Sequence, residues 1–115
     1  IVANYADAHE ACLSRGGDLL SIHSQEEQEL IGQAAYASYQ GHLWIGINDR
    51  IVEGTFAWTD GSSVDFEHWN NNEPNDWGSG EDCGHLYEGN ENRWNDLPCG
   101  HEAGYLCQLP NLDLP

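Results

Sequence analysis

The apolar residues near the start of the chain recur at the spacing of an amphipathic helix. Asn4 is a residue type that caps helices, and the pattern predicts a helix from about Tyr5 to Arg15 that ends at Gly16-Gly17. Within this helix Tyr5, Ala8 and Cys12 follow one another at helical spacing, so we expect them on one buried face. The first segment is therefore predicted to pack against a core through a narrow stripe.

A second helix is indicated by the segment Ser24-Gln25-Glu26-Glu27, which has the pattern of a capping box. We expect this helix to run to about Tyr36. Its apolar positions predict an inward face made of Leu30, Ile31, Ala34 and Ala35. The acidic residues of the same segment are expected on a solvated face made of Glu26, Glu27 and Glu29.

Strand patterns occupy much of the remaining chain. The run from Leu43 to Ile47 is continuously apolar over the length of a strand, so we expect it to be buried on both faces. Shorter patterns predict strand segments at residues 18–22, 56–58, 64–66, 83–87, 93–95 and 104–108. The stretch from Asn48 to Asp82 is rich in Gly, Asn, Asp and Glu, and a polar segment this long inside a compact domain is usually functional.

Length and charge narrow the class of protein. The 115 residues suit one domain, and 20 acidic residues against three arginines give a formal net charge of −17. Such a chain has too few cations to bind nucleic acid or an anionic membrane surface. Disorder is also disfavoured, because the chain has five Trp and five Tyr together with well-formed apolar runs. A folded domain whose acids are partly neutralised by bound cations is the better interpretation.

The four cysteines, Cys12, Cys83, Cys99 and Cys107, indicate an oxidising compartment. None forms a C-x-x-C pair, which disfavours a zinc ribbon or a thioredoxin-type site, and their spacing leaves all three disulfide pairings open. No apolar run approaches the roughly 18 residues that span a bilayer. We therefore expect a secreted or extracellular domain, including the ectodomain of a larger protein, and a chain that starts after processing or truncation.

The segment from Glu73 to Cys83 has the highest density of candidate ligand side chains, with four carboxylates and one amide within ten residues. A second patch, Trp94-Asn95-Asp96, precedes Cys99 by a few residues. Calcium prefers oxygen ligands from carboxylates, amides and carbonyls on adaptable loops, and without a cation these carboxylates would repel one another. The spacing differs from that of an EF-hand, so the sequence predicts another kind of calcium site.

These residues resemble the C-type lectin-like domain over nearly the whole chain, from about Asn4 to Leu109. The resemblance is carried by Trp44-Ile45-Gly46-Ile47, Glu73-Pro74-Asn75, Trp94-Asn95-Asp96 and the four cysteines in order. It implies an α+β fold with two helices, short antiparallel strands, a long calcium-binding loop and two disulfides, Cys12–Cys107 and Cys83–Cys99. Residues 1–109 would form the domain and 110–115 a tail, and the strand that usually precedes the first helix is expected to be incomplete.

The resemblance also implies two Ca²⁺ sites. The sugar-binding ion would be held by Glu73, Asn75, Glu81, Asn95 and Asp96. The second ion would be held by Asp49, Glu53, Asp76, Glu81 and Asp82. Every one of these positions has an oxygen-bearing side chain here. The alternative to a calcium-binding loop is a solvated acidic segment.

Sugar recognition follows from the chemistry of such a site. Two vicinal hydroxyls would ligate the ion, donate protons to Glu73 and Glu81, and accept N–H groups from Asn75 and Asn95. In the family, Glu73-Pro74-Asn75 implies mannose-type ligands, including fucose, glucose and N-acetylglucosamine. The alternative is galactose binding, because an aromatic ring such as Trp77 stacks on galactose in galactose-type members.

Other aromatic and titratable residues have plainer interpretations. The remaining tryptophans, Trp44, Trp58, Trp69 and Trp94, are expected in the core. The six histidines lack any recognisable metal-binding spacing and are assigned to surface or core polar roles.

Two other classes of function compete with sugar binding. Glycosidases use a pair of carboxylates as acid and base on a glycosidic bond. We interpret the carboxylates of this chain as calcium ligands instead, so we do not expect an enzyme. A non-sugar binder on the same fold, for protein, ice or mineral, is the second alternative. The expected partners are glycans or glycoconjugates. Because a single sugar site is weak, homo-oligomerisation would raise avidity.

Overall fold

The computed structural model describes residues 2–38, 42–69, 82–87 and 93–109. Two helices and seven strands lie within these ranges. In chain order they are α1 (Tyr5–Ser14), β1 (Asp18–Leu19), α2 (Gln25–Ser38), β2 (His42–Val52), β3 (Thr55–Trp58), β4 (Cys83–Tyr87), β5 (Arg93–Leu97), β6 (Gly104–Tyr105) and β7 (Cys107–Gln108). Within the described residues, neither helix is long and apolar enough to cross a membrane.

Helix α1 forms as its sequence predicts. Asn4 is the N-cap, and its side-chain oxygen accepts a hydrogen bond of 2.8 Å from the backbone N–H of Asp7. Tyr5, Ala8 and Cys12 are fully buried, which confirms the predicted face. The helix ends one residue earlier than expected, at Ser14, and the chain then turns through Gly16 with a positive φ of 86°.

Helix α2 begins where expected, since the backbone N–H of Glu27 donates to Ser24 Oγ over 3.1 Å. The predicted inward face is wrong in two positions. Leu30 is 68% exposed and Ala34 is also exposed. Gln28 and Gly32 are buried instead, and Ile31 is partly buried. The side chain of Ala35 lies outside the described part of the structure.

The physical reason for this rotation of α2 is a buried polar contact. The indole N–H of Trp94 donates to Gln28 Oε1 over 2.9 Å, so the inward position is occupied by an amide that hydropathy treats as surface. The acidic residues Glu26, Glu27 and Glu29 are exposed, as predicted.

A five-stranded sheet forms the centre of the domain. Strands β3, β2, β4 and β5 are antiparallel in that order, and β6 pairs with β2 in parallel. Strands β1 and β7 form a separate antiparallel pair. Residues 43–49 of β2 are all buried, which confirms the prediction of a strand covered on both faces.

Three predicted strand segments differ from the structure. The segment 104–108 is divided into β6 and β7, which belong to different sheets. The segment 18–22 forms a strand only at Asp18–Leu19, because Leu20 then crosses between two strands: its N–H donates to Leu106 O and its carbonyl accepts from the N–H of Gly46. The segment 64–66 is not a strand. Val64 and Phe66 are partly buried and pack on the core, but no ladder forms there.

The core lies on the two faces of this sheet. One apolar cluster includes Trp58 and Trp94, and the other includes Tyr5 and Trp44. Trp69 packs on the first cluster and is only partly buried, so the four tryptophans predicted as core residues do contribute to it. The disulfides Cys12–Cys107 and Cys83–Cys99 are both formed, as the family resemblance implied. On the chain-entropy model each contributes roughly 3–5 kcal/mol.

Candidate functional site

Three carboxylates converge at one edge of the central sheet. Asp49 lies near the end of β2, Glu53 follows that strand, and Asp82 immediately precedes β4. One carboxylate oxygen from each lies within 4.8 Å of the others. We call Asp49, Glu53 and Asp82 the acidic group. Segments separated by about thirty residues therefore meet at one point.

Backbone contacts hold the acidic group in place. The pairing of β2 with β4 is irregular between Trp44 and Asn48, and beyond it the N–H of Asp49 donates to the carbonyl of Asp82 over 2.9 Å. The β2–β3 turn then brings the N–H of Gly54 to Asp49 Oδ2 at 2.8 Å. Gly54 has a positive φ of 85°, a conformation that glycine adopts at little cost.

The donor set and its spacing suit a calcium ion. Calcium ligands lie about 2.3–2.6 Å from the metal, so two ligands of one ion are at most about 5 Å apart. The oxygens of the acidic group meet that limit. Asp49 is 3% exposed, and its Oδ1 is buried and accepts no hydrogen bond within the described residues. A buried carboxylate oxygen in that state is stabilised by a cation.

Asn95 and Asp96 lie on β5, beside the same part of the sheet. They pair with His85 and Gly84 of β4, respectively. Asp96 is 3% exposed, and the Oδ1 of Asn95 is buried without a hydrogen-bond partner in the described part of the chain. The Cys83–Cys99 disulfide links β4 to the residues just after β5. The oxygen of Asn95 is a second buried acceptor that a cation could satisfy.

The other predicted site residues lie outside the described part of the chain: Glu73, Asn75, Asp76, Trp77 and Glu81. The structure thus brings together three of the residues predicted for the second calcium, and it places two of those predicted for the sugar-binding calcium on the adjacent strand.

Sequence reasoning missed two residues that support the site. Asn48 is 7% exposed; its Nδ2 donates to the carbonyl of Gly46, and its Oδ1 accepts from the N–H of Arg50. It also contacts the hydroxyl of Tyr5, whose pKa is raised by burial. The other is Gly54, the donor to Asp49. The sequence signal that could have identified Asn48 is an amide directly after an uninterrupted apolar run.

Comparison with known proteins follows this geometry. The family model described as the Lectin C-type domain matches residues 1–109. Echinoidin from Heliocidaris crassispina is 43% identical over 99 residues, which cover 82% of this chain and 67% of echinoidin. C-type mannose receptor 2 from Mus musculus is also 43% identical, over 106 residues that cover 91% of this chain but 7% of the receptor.

A solved structure gives the same result at the level of the fold. The C-type lectin CEL-I from Cucumaria echinata superposes with a TM-score of 0.89 at 34% identity, covering 93% of this chain and 83% of CEL-I. The family match at residues 1–109 spans both helices and all the described strands.

Proposed function

Because this chain belongs to the C-type lectin domain family, we propose that it binds carbohydrate in a calcium-dependent manner. The domain of this family is typically a non-enzymatic carbohydrate-binding module, and Ca²⁺ binding is a property of the family. The chain spans only 7% of the mannose receptor it matches, so any activity of a larger parent protein is a separate question.

One observation carries the proposal more than any other. Three carboxylates lie within 4.8 Å of one another, and the buried Oδ1 of Asp49 among them accepts no hydrogen bond from the described residues. Carboxylates this close to one another repel when ionised, although solvent screens the exposed Glu53. A divalent cation removes the repulsion and supplies the missing partner.

We assign ligands to two calcium ions. Asp49, Glu53 and Asp82 would hold one of them, together with Asp76 and Glu81. Asn95 and Asp96 would hold the sugar-binding ion, together with Glu73, Asn75 and Glu81. When bound, that calcium provides a positive centre to which two neutral sugar hydroxyls can coordinate.

The side chains around the sugar-binding ion orient the ligand. Ionised Glu73 and Glu81 accept the hydroxyl protons, and the amide groups of Asn75 and Asn95 donate N–H to the hydroxyl oxygens. This order of acceptor and donor in Glu73-Pro74-Asn75 supports mannose-type sugars, whose 3- and 4-hydroxyls are both equatorial. We therefore propose mannose, fucose, glucose or N-acetylglucosamine as ligands.

Galactose is the second candidate ligand, because of Trp77. Stacking of an indole ring on the apolar face of a sugar contributes on the order of 1 kcal/mol, and about 1.4 kcal/mol changes affinity tenfold. Competition between monosaccharides on the wild type and on Trp77→Ala separates the two. If galactose prevails on the wild type and loses its advantage in the variant, the stacking ring outweighs the tripeptide.

The experiment that tests the proposal is a glycan array run with calcium and with chelator. Two variants sharpen it: Asp49→Asn removes a carboxylate of the acidic group, and Asn95→Ala removes an amide on β5. Glu26→Gln, an exposed acid on α2, is the matched control. We expect wild type and control to bind glycans only with calcium, and both site variants to bind more weakly.

Three results would contradict the proposal. Glycan binding that survives chelation would remove the role of calcium. Binding of protein, ice or mineral without any response to sugars would favour a non-sugar binder on this fold. Turnover of a glycan would indicate a glycosidase. The proposed setting is secreted or extracellular, and homo-oligomerisation would strengthen binding to glycoconjugates through avidity.

A further inference from the structure

A cleft lies between α1 and the hairpin formed by β2 and β3, and its volume is about 400 Å³. Among the residues that line it, Tyr5, Asn48 and Trp58 are buried and form its inner wall. Arg50 and Ile51 are exposed and lie at its outer edge. We call this space the Arg50 cleft. It is open to solvent on one side and has a packed wall on the other.

The residues around this cleft carry a charge opposite to that of the whole chain. None of its lining residues within the described ranges is acidic, although the chain has 20 acidic residues and only three arginines. Arg50 is one of these three, and it forms no ion pair with any other described residue. The cleft therefore holds a positive charge that its own lining leaves without a counterion.

A contact with α1 holds the Arg50 side chain at the cleft. Its guanidinium carbon lies 5.7 Å from the centroid of the Tyr5 ring, within the range of a cation–π interaction. That ring is itself fixed, because its hydroxyl donates to the carbonyl of Ile47 over 3.3 Å and accepts from Asn48 Nδ2 over 3.4 Å. An interaction with a ring face, unlike an ion pair, uses few of the five N–H donors of a guanidinium. The remaining donors are available to a ligand.

One carboxylate, Asp18, lies next to the lining residues, but its partners lie elsewhere. Its Oδ1 is 2.9 Å from Nε2 of His9, and it accepts hydrogen bonds from Thr59 Oγ1 over 2.7 Å and from the N–H of Leu19 over 2.8 Å. None of these contacts involves Arg50. The guanidinium is therefore not neutralised by this carboxylate.

The Arg50 cleft is separate from the acidic group. Successive side chains of a strand point to opposite faces of the sheet. Accordingly, Asn48 and Arg50 of β2 both line the cleft, whereas Asp49 between them belongs to the acidic group. None of the residues that line the cleft is among the calcium ligands assigned above. A ligand bound there would not depend on calcium or on the proposed function.

We propose that the Arg50 cleft binds a small ligand that has a single carboxylate or sulfate group beside an apolar surface. The oxygens of such a group match the forked N–H donors of a guanidinium. Ile51 is 89% exposed and supplies apolar surface next to the charge. The net charge of −17 repels a polyanion more strongly than a single charge, so the ligand class is limited to small anions.

The test is an NMR titration of the calcium-free chain, with the Nε–H signals of its three arginines as reporters. Calcium is removed by dialysis against chelator, and the chelator is then removed by dialysis against buffer without carboxylate or phosphate, so that no other anion of this kind competes. The anionic probes are glucuronic acid, N-acetylglucosamine 6-sulfate and phenylacetate, and phenylacetamide is the neutral control. We expect a saturable shift of the Arg50 signal with anionic probes only.

The relative affinities of the probes distinguish two sources of the same chemistry. Tighter binding of the two acidic sugars would identify the ligand as an acidic saccharide. Tighter binding of phenylacetate would identify it as an apolar carboxylate. Either result supports an anion site in the cleft.

Substitutions of arginine test whether Arg50 holds the anion. Arg50→Gln removes the charge and the fork, and Arg15→Gln, at the exposed end of α1, changes the net charge equally and is the matched control. Followed through the backbone N–H of Ile51, binding should weaken about tenfold or more in Arg50→Gln and less than about twofold in the control. Arg50→Lys keeps the charge without the fork, so we expect an intermediate loss.

Three results would overturn the proposal. They are no saturable shift with any anionic probe, an equal response to phenylacetamide, and an equal loss of affinity in Arg15→Gln. Because Arg50 is exposed and Arg50→Lys retains its charge, at least one variant reports on the site without a folding defect. Melting with added calcium, measured on the same samples, tests the acidic group separately. Failure of anion binding is therefore distinguishable from failure of the proposed function.

Discussion

Trp94 lies in the buried core of the central sheet, whereas the acidic group lies at an edge of it, where Asp49 is buried, Asp82 is partly buried and Glu53 is exposed. Trp94 is fully buried, its ring contacts Trp58 and Trp69 with centroids 5.3 and 5.5 Å away, and its N–H donates to Gln28. The acidic group instead brings three carboxylates within 4.8 Å of one another. One region is completed by its own side chains, and the other is where we propose that calcium binds.

The difference between these two regions separates the part of the domain that favours folding by itself from the part that we propose binds calcium. Apolar burial and edge-to-face aromatic contacts around Trp94 favour folding whether or not an ion is present. On the proposed function, the acidic group contributes favourably to stability only when calcium is bound. The two disulfides and the aromatic core stabilise the rest of the domain without an ion.

The largest expected effect comes from truncating the core. Trp94→Ala should lower the free energy of unfolding by about 3–5 kcal/mol, because it leaves a large cavity and deprives Gln28 of its donor. Denaturant unfolding in calcium and in EDTA measures this, and the loss should be similar in both. Leu30→Ala, which changes an exposed position of α2, is the control and should be nearly neutral. A loss seen only in calcium would contradict the division into two regions.

The next effect concerns the cation. Calcium at about one hundred times its dissociation constant should raise the free energy of unfolding by about 2.7 kcal/mol per site. Asp49→Asn should lose most of this increase, since it removes a ligand from the acidic group. In EDTA the same variant should be at least as stable as the wild type, because one repelling charge is gone. Thermal melts of both proteins with calcium and with EDTA test this, and an undiminished calcium shift in Asp49→Asn would refute the site.

A smaller effect is expected from a substitution that keeps the packing of the core but removes a buried hydrogen-bond acceptor. Gln28→Leu keeps the bulk at that position but leaves the indole N–H of Trp94 without its acceptor. We expect a loss of about 1–2 kcal/mol in denaturant unfolding, the usual penalty for a buried unsatisfied donor. The calcium shift should stay the same as in the wild type. A neutral or stabilising result would mean that the Trp94–Gln28 contact does not determine the rotation of α2.

The smallest effect is expected at Asp60, whose polar network with Ser21, Ser62 and Gln108 includes no residue of the acidic group. Partial burial acts to raise the pKa of this carboxyl, but hydrogen bonds from Ser62, Ser21 and Gln108 outweigh it and lower the pKa to about 2. A lowered pKa in the folded state stabilises the protein above the unfolded value of about 3.9.

That contribution is lost as the pH falls from about 4 towards about 2. Because solvent screens this partly exposed group, we expect it to be on the order of 1 kcal/mol or less. Unfolding measured between pH 2 and 5 should be less steep in Asp60→Asn than in the wild type. The comparison is made in EDTA, so that calcium binding does not contribute. Equal pH dependence in the two proteins would exclude Asp60 as its source.

Features that depend on neighbours along the chain could be predicted from the sequence. The cap at Asn4, the buried face of α1 and the buried run of β2 all follow from residues a few positions apart. Spaced motifs such as Trp94-Asn95-Asp96, together with the four cysteines, identified the family and thereby both disulfides. These are properties of local spacing, which the sequence contains in full.

Only the tertiary structure decided which distant groups meet. Gln28 replaced Leu30 on the inward face of α2 because a tryptophan sixty-six positions away needed an acceptor. Asp49 and Asp82 lie close together because of the register of β2 with β4. Hydropathy assigns each residue by its own polarity. Whether a polar group is buried, paired or close to other polar groups depends on its neighbours across the sheet. The pattern within one segment does not identify the distant segment with which it pairs.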